Sequence, residues 1–254
     1  MNRRRKIYVF LNGDFNPPAG FPASPERDSL VVATDGGIRH VLALGWKPDV
    51  VLGDFDSAPP ELAAELERAG TARVLRYPEK KDKTDYELAL ETALGELEPE
   101  GTIEVLGAFG GRLDMTLANL LLPGAESLLR AGRDLSPTFL YRDGETRVYV
   151  ITGPKRLELP PDLPPDSLAS LVPLSAEVTG ATLGGNFLYP LREGTLLFGN
   201  TLGVSNAVPS NPVGASAKTG PLSVSIGKGT LAVFLAPNPD PDGENDGENG
   251  GKSP

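Results

Sequence analysis

Asp49-Val50-Val51-Leu52-Gly53-Asp54-Phe55-Asp56-Ser57 decides how the first half of this chain folds. Its front, Val50 to Leu52, is apolar without alternation, as in a strand buried on both faces. The run stops at a glycine and at two aspartates two residues apart. Glu61–Ala69 then follows a helical period and ends at Gly70, a natural C-terminal cap. Strand, polar turn and helix in that order make the unit of a parallel sheet. The unit recurs in both directions. Strands are predicted at Ile7–Leu11, Leu30–Ala33, Asp49–Leu52, Arg73–Tyr77 and Ile103–Leu106. Helices are predicted at Ile38–Leu44, Glu61–Ala69, Asp85–Leu97 and Leu113–Ala131. Thr84-Asp85-Tyr86-Glu87 has the form of a capping box at the start of the third helix.

From Thr138 the pattern changes. Thr138–Tyr141 and Thr146–Ile151 flank Asp143-Gly144, a hairpin signal. Short runs follow at Leu168–Leu174, Thr195–Phe198, Leu222–Ile226 and Thr230–Leu235, separated by Gly, Pro, Asn and Ser. They predict an antiparallel β-sandwich or barrel. The fold class expected is therefore α/β plus all-β. A parallel α/β domain spans residues 1–152, and a β-sandwich spans 153–236. The acidic, Pro- and Gly-rich tail at 237–254 is expected to be disordered.

Composition removes several chemistries. With no Cys there is no disulfide, no iron–sulfur cluster and no thiolate zinc site. His40 is the only histidine, so a metal would be held by oxygen, which favours Mg²⁺, Mn²⁺ or Ca²⁺. His40 lies on an apolar-periodic helix and reads as structural, as does Trp46. A net charge of −10 argues against a nucleic-acid groove. No apolar run approaches the length of a membrane span, and Asn12-Gly13-Asp14 interrupts the first one too early for a secretory leader. The expectation is a cytoplasmic protein with neither membrane nor nucleic acid as partner.

Neither G-x-x-x-x-G-K-[ST] nor G-x-G-x-x-G after the first strand is present. Instead, four clusters each stand between a predicted strand and a predicted helix. They are Asp35-Gly36-Gly37, the 53–57 turn, Lys81-Asp82-Lys83-Thr84-Asp85, and residues 107–114 with Gly110-Gly111-Arg112-Leu113-Asp114. The carboxyl ends of parallel strands face one crevice, so these clusters should converge. Asp54 and Asp56 point the same way in an extended segment and could share a hard cation. Asp56 or Ser57 could equally cap the following helix. Asp85 could supply a third ligand or serve as a first-turn partner of the helix dipole. Lys81 and Lys83 suit a polyphosphate, or form a solvated charge run. Both glycine pairs would let backbone approach a ligand closely, and Arg112 could meet phosphate. Asp114 could be a ligand or a first-turn helix acid.

On these residues the sequence resembles the thiamine pyrophosphokinase (thiamine diphosphokinase) family. Besides the four clusters, Leu188-Tyr189-Pro190-Leu191 and Leu202-Gly203-Val204-Ser205-Asn206 match, and the likeness spans roughly residues 6 to 235. It implies a Rossmann-like catalytic domain, a β-sandwich that helps bind thiamine, and a homodimer with sites at the subunit interface. It implies pyrophosphoryl transfer from ATP to the thiamine hydroxyl, giving thiamine diphosphate and AMP. By likeness Asp54, Asp56 and Asp85 hold Mg²⁺, with Asp35 and Asp114 lining the same site. Asp35, Gly36, Gly37, Lys81, Lys83, Thr84, Gly110, Gly111 and Arg112 would bind ATP. Tyr189, Ser205 and Asn206 would meet thiamine. For the hydroxyl proton the residues offer Asp82 or Asp114, and positioning alone could suffice when the transition state is loose. The chain departs from the family at Ala207, where Glu is frequent. It departs again at Gly184-Gly185-Asn186-Phe187, one residue long, and at the Pro-rich loop 12–28, which has no assigned place.

Readings of other classes remain open at this point. A glycosyltransferase would use Asp54-Phe55-Asp56 for Mn²⁺ on a nucleotide sugar. A non-catalytic sensor would bind nucleotide or thiamine without turnover. A pyrophosphokinase could act on a different small alcohol.

Overall fold

The computed structural model describes residues 3–55, 60–164, 166–209 and 220–239. Asp56, Ser57 and the tail from residue 240 onward lie outside the described residues. The first half alternates as expected: β1 (Arg4–Phe10), β2 (Leu30–Thr34), α1 (Ile38–Ala43), β3 (Val50–Gly53), α2 (Pro60–Ala69), β4 (Arg73–Arg76), α3 (Asp85–Glu96), β5 (Leu97–Leu106), α4 (Leu113–Leu121), α5 (Glu126–Ala131) and β6 (Thr138–Asp143). The second half holds β7 (Thr146–Thr152), β8 (Lys155–Glu158), β9 (Leu168–Pro173), β10 (Glu177–Gly184), β11 (Gly194–Leu197), β12 (Asn206–Ala207), β13 (Ser223–Ile226) and β14 (Thr230–Ala236).

Strands β4-β3-β2-β1-β5-β6 lie side by side in that order, all parallel. The same sheet continues antiparallel through β7, β14, β9 and β12. One mixed sheet of ten strands therefore runs from the α/β half into the β-rich half. A second sheet of four strands, β11-β10-β13-β8, belongs to the β-rich half alone.

Alternation along each strand sorts the core into layers. Ile7, Val9, Val32, Leu52, Ile103 and Val105 face Leu90, Ala93 and Leu94 of α3 and Leu128 of α5. Tyr8, Phe10, Val31, Ala33 and Val51 face Ile38 and Val41 of α1 together with Trp46. Farther along the sheet, Tyr149, Ile151, Leu231, Val233 and Leu235 pack on Leu157, Val178, Leu196, Val224 and Ile226 of the second sheet. Between the last two layers sits one buried charge. Glu104, 3% exposed, lies 2.5 Å from the Lys6 ammonium and 2.7 Å from the Arg142 guanidinium.

Two expectations need correction. The helix predicted at Leu113–Ala131 is broken, because Pro123 cannot continue the hydrogen-bond ladder and Leu122–Gly124 forms a 3₁₀ turn. β5 starts at Leu97 rather than Ile103, directly after α3 and with a register shift against β1, and its charged Glu98 and Glu100 hide the early part. The loop 12–28 now has a place. Phe15 and Phe21 pack on Phe10 and Trp46, with Phe21 stacked on the indole at 5.6 Å. Asn16 then anchors the loop to the β6–β7 turn: its Nδ2 donates to Asp143 Oδ1 at 2.8 Å, and its carbonyl accepts from Gly144 N at 2.8 Å.

Candidate active site

The strand order reverses direction between β1 and β5, and a cleft of about 510 Å³ opens at their carboxyl ends. After the two strands finish, backbone stitches hold their extensions together. Gly13 N donates to Gly107 O at 2.8 Å, and Asp14 N to Phe109 O at 2.7 Å. The approach is so close that a Cβ on Gly13 would stand 2.3 Å from Phe109 O. His40 secures the same segment from behind, with Nε2 2.9 Å from Gly13 O, and burial lowers its pKa below the usual histidine value. A neutral ring with Nε2–H donating satisfies that contact, which is the structural role expected of it.

The opposite wall carries charge. Asp35 follows β2, Asp54 follows β3, and Asp85 opens α3. One carboxylate oxygen of each lies within 4.8 Å of the others. Thr84 fixes the start of α3, its Oγ1 accepting from Glu87 N at 3.2 Å, so this N-cap places Asp85 at the cleft. Two carboxylates 4.8 Å apart repel by about 3 kcal/mol at an effective dielectric constant of ~20. A nearby cation offsets that cost. Lys81 Nζ stands 2.8 Å from Asp85 Oδ1 and 4.0 Å from Asp54 Oδ2. Burial lowers the Lys81 pKa, but the hydrogen bond and charge of Asp85, with the charges of Asp54 and Asp35, raise it above the usual lysine value. Asp85 Oδ1 is buried, and the Lys81 ammonium stands beside it as its ion-pair partner. Hard oxygen donors gathered within 4.8 Å and an excess of negative charge together fit a divalent cation such as Mg²⁺.

The remaining candidates divide by location. Thr84, Gly110, Gly111 and Arg112 line the cleft beside the three aspartates. Gly36 and Gly37 sit just behind Asp35, where a Cβ on Gly37 would stand 2.1 Å from Phe10 O. Arg112 and Asp114 are exposed and pair with each other at 2.5 and 3.1 Å, and this hydrogen bonding lowers the Asp114 pKa below the usual carboxylate value. Asp82 is exposed, and Lys83 turns away to Glu91 at 2.5 Å. Tyr189, Ser205 and Asn206 lie in the β-rich half, and none of them lines the cleft. There Asn206 is 4% exposed, and its amide is committed to neighbouring backbone. Oδ1 accepts from Tyr189 N and Ala207 N, both at 2.9 Å, and Nδ2 donates to Tyr189 O at 2.7 Å. Ser205 adopts φ 58°, and its N–H donates to Ser170 Oγ at 3.0 Å.

Sequence reasoning passed over Asn12, Gly13, Asp14, Tyr86 and Asn119, which also line the cleft. Asn12 to Asp14 follow a strand but precede no helix, so the strand–turn–helix filter skipped them. Their signal was their place after β1, next to the reversal in strand order. Tyr86 and Asn119 belong to a buried chain behind the cleft. Tyr86 Oη and Tyr141 Oη are 2.7 Å apart, Tyr141 donates to Asn119 O at 2.8 Å, and Asn119 Nδ2 donates to Ala108 O at 2.8 Å. Burial keeps both phenols protonated.

A family profile described as "Thiamin pyrophosphokinase, catalytic domain" matches residues 22–124. The chain is 30% identical over 211 residues to a thiamine pyrophosphokinase of Bacillus subtilis (strain 168), covering 80% of this chain and 89% of that protein. Among solved structures it is similar to a thiamine pyrophosphokinase from Bacillus subtilis, with TM-score 0.70 and 26% identity over 92% of this chain and 99% of that one. It is likewise similar to one from Geobacillus thermodenitrificans, with TM-score 0.69 and 27% identity over 92% and 98%.

Proposed function

The chain belongs to the thiamine pyrophosphokinase family, and from this premise we propose that it transfers the pyrophosphoryl group of ATP to the hydroxyl of thiamine, giving thiamine diphosphate and AMP. The observation that carries the reading is the meeting of Asp35, Asp54 and Asp85 at a cleft with a glycine wall. We assign Mg²⁺ to Asp54, Asp56 and Asp85, with Asp35 beside them. When bound, it would neutralise the charge of the phosphate oxygens.

The chain's own groups would do the rest. The Gly110-Gly111 turn and the stitched β1 and β5 ends let phosphates lie against backbone. Thr84 holds the start of α3, Asp35 lines the floor with Gly36 and Gly37 behind it, and Lys81 and Arg112 add positive charge around the polyphosphate, joined by Lys83 once it leaves Glu91. The thiamine oxygen bonds to the β-phosphorus while the bond from that phosphorus to the bridging oxygen of the α-phosphate breaks, and AMP departs with both bond electrons. The hydroxyl proton leaves to Asp82, Asp114 or solvent. A loose transition state asks more of positioning than of a strong base.

Tyr189, Ser205 and Asn206 are assigned to thiamine. That none of them lines the cleft of one chain supports a homodimer in which a second copy completes the site. Two exposed apolar faces support the same arrangement. Leu113, Leu117 and Leu121 stand four apart on α4 and are 82%, 57% and 39% exposed, while Tyr189, Phe198 and Leu202 are 65%, 64% and 58% exposed. In this reading residues 1–152 act as a Rossmann-like catalytic unit and 153–236 as a β-sandwich, in the cytoplasm. No described helix is long and apolar enough to cross a membrane.

The test is to incubate the purified protein with ATP, Mg²⁺ and thiamine and to separate the products. Equal amounts of thiamine diphosphate and AMP are expected, abolished by a chelator. AMP and pyrophosphate without thiamine diphosphate would redirect the reading to another acceptor. No turnover by folded, metal-replete protein would overturn it.

A further inference from the structure

Lys81 and Lys83 are two residues apart on one turn and are used differently. Lys83 is exposed and reaches back to Glu91 on α3. The Lys81 side chain is 15% exposed and points into the acidic wall, 2.8 Å from Asp85 Oδ1 and 4.0 Å from Asp54 Oδ2. The charge of Asp35 reaches it as well. A lysine ammonium is a compact charge on a flexible four-carbon stem. Here the stem starts in the bend before α3, so the head group can leave the wall without breaking a strand or a helix.

Mg²⁺ requires its oxygen ligands at about 2.0–2.1 Å. An ammonium already 2.8 Å from one of those oxygens would be pressed against that cation, charge against charge. Where both take the same oxygens of Asp54 and Asp85, each excludes the other. Without either, three carboxylates would face one another across less than 5 Å. We propose that Lys81 is the built-in counter-ion of the acidic wall: its ammonium holds the place of a divalent cation between Asp54 and Asp85, and cation binding displaces it toward the phosphates. The proposal rests on the reading of these aspartates as a cation site. It makes Lys81 a positioning residue that keeps the carboxylates gathered before the cation arrives, as well as a competitor for their oxygens.

The experiment uses full-length protein, Mg²⁺ alone and no nucleotide. Melting temperature is followed against Mg²⁺ concentration for wild type and Lys81→Met. In chelator the variant should melt below wild type. Saturating Mg²⁺ should close most of the gap, and the half-saturating concentration should be lower in the variant by about tenfold, within the usual span of coupled binding. In parallel, the side-chain amine signal of Lys81 is followed by NMR in wild-type protein labelled with ¹⁵N-lysine. It should shift as Mg²⁺ is added, while that of Lys83 stays. Equal or weaker Mg²⁺ binding by Lys81→Met overturns the proposal, and so does a Lys81 signal unmoved at saturation. The NMR arm decides even where the variant fails to fold. If Mg²⁺ changes neither melting curve nor any lysine signal, the cation-site reading itself fails and takes the proposal with it, an outcome separate from Mg²⁺ binding that leaves Lys81 in place.

Discussion

Asp35 in the parallel half and Asn206 in the β-rich half are buried alike, 5% and 4% exposed, yet they serve opposite ends. Asp35 lines an open cleft and stands among other carboxylates, a concentration of like charge that only a cation relieves. Asn206 directs its whole amide at the backbone of Tyr189 and Ala207. The surface it shapes is apolar and exposed, carrying Tyr189, Phe198 and Leu202. One region concentrates like charge, and the other stores uncovered apolar area. The first answers to ions and phosphates. The second answers to an organic ring or to another protein surface.

The sharpest way to break this contrast is Asp54→Asn. Turnover should fall on the order of 10²–10³-fold, the scale of removing one charge-stabilising group, while the melting temperature holds or rises. Near-normal turnover would show that the acidic wall is not the reacting site. Asn206→Ala probes the other region. It leaves the Tyr189 N–H and carbonyl without their buried partner and should cost about 1–3 kcal/mol in urea unfolding. The KM for thiamine should rise more than the KM for ATP. A parallel rise in both would mean that the 188–206 segment does not serve the acceptor. Leu117→Glu has the mildest expected effect. A charge placed on the apolar row of α4 should weaken self-association about tenfold, roughly 1.4 kcal/mol, measured by sedimentation equilibrium. An unchanged association constant would leave that row without its assigned partner.

The sequence made the acidic wall legible because Asp35, Asp54 and Asp85 each follow a short apolar strand or open a capped helix, and topology then brings such ends together. It hid Asn12 to Asp14 because no helix follows them. β8 and β10 were hidden for another reason. Lys-Arg-Leu-Glu at 155–158 shows one buried residue, and β10 carries Gly180 and an irregular register against β11. Edge and bulged strands lack the continuous apolarity that marks central ones. The break at Pro123 was visible in the sequence but was outweighed by the apolar period on both sides. The inward turn of Lys81 and the outward turn of Lys83 had no local signal, since each depends on which carboxylate the fold brings near.

The ten-stranded sheet has a mechanical consequence. β6 and β7 join the two halves by a hairpin, and β14 returns from the end of the β-rich half to pair with β7. Such a chain is a beam rather than a pair of jaws. Opening it along residue 153 would tear a ladder instead of flexing a hinge. Whatever closes over a substrate at the cleft must therefore move as a small part, a side chain or a loop, or arrive from outside the chain.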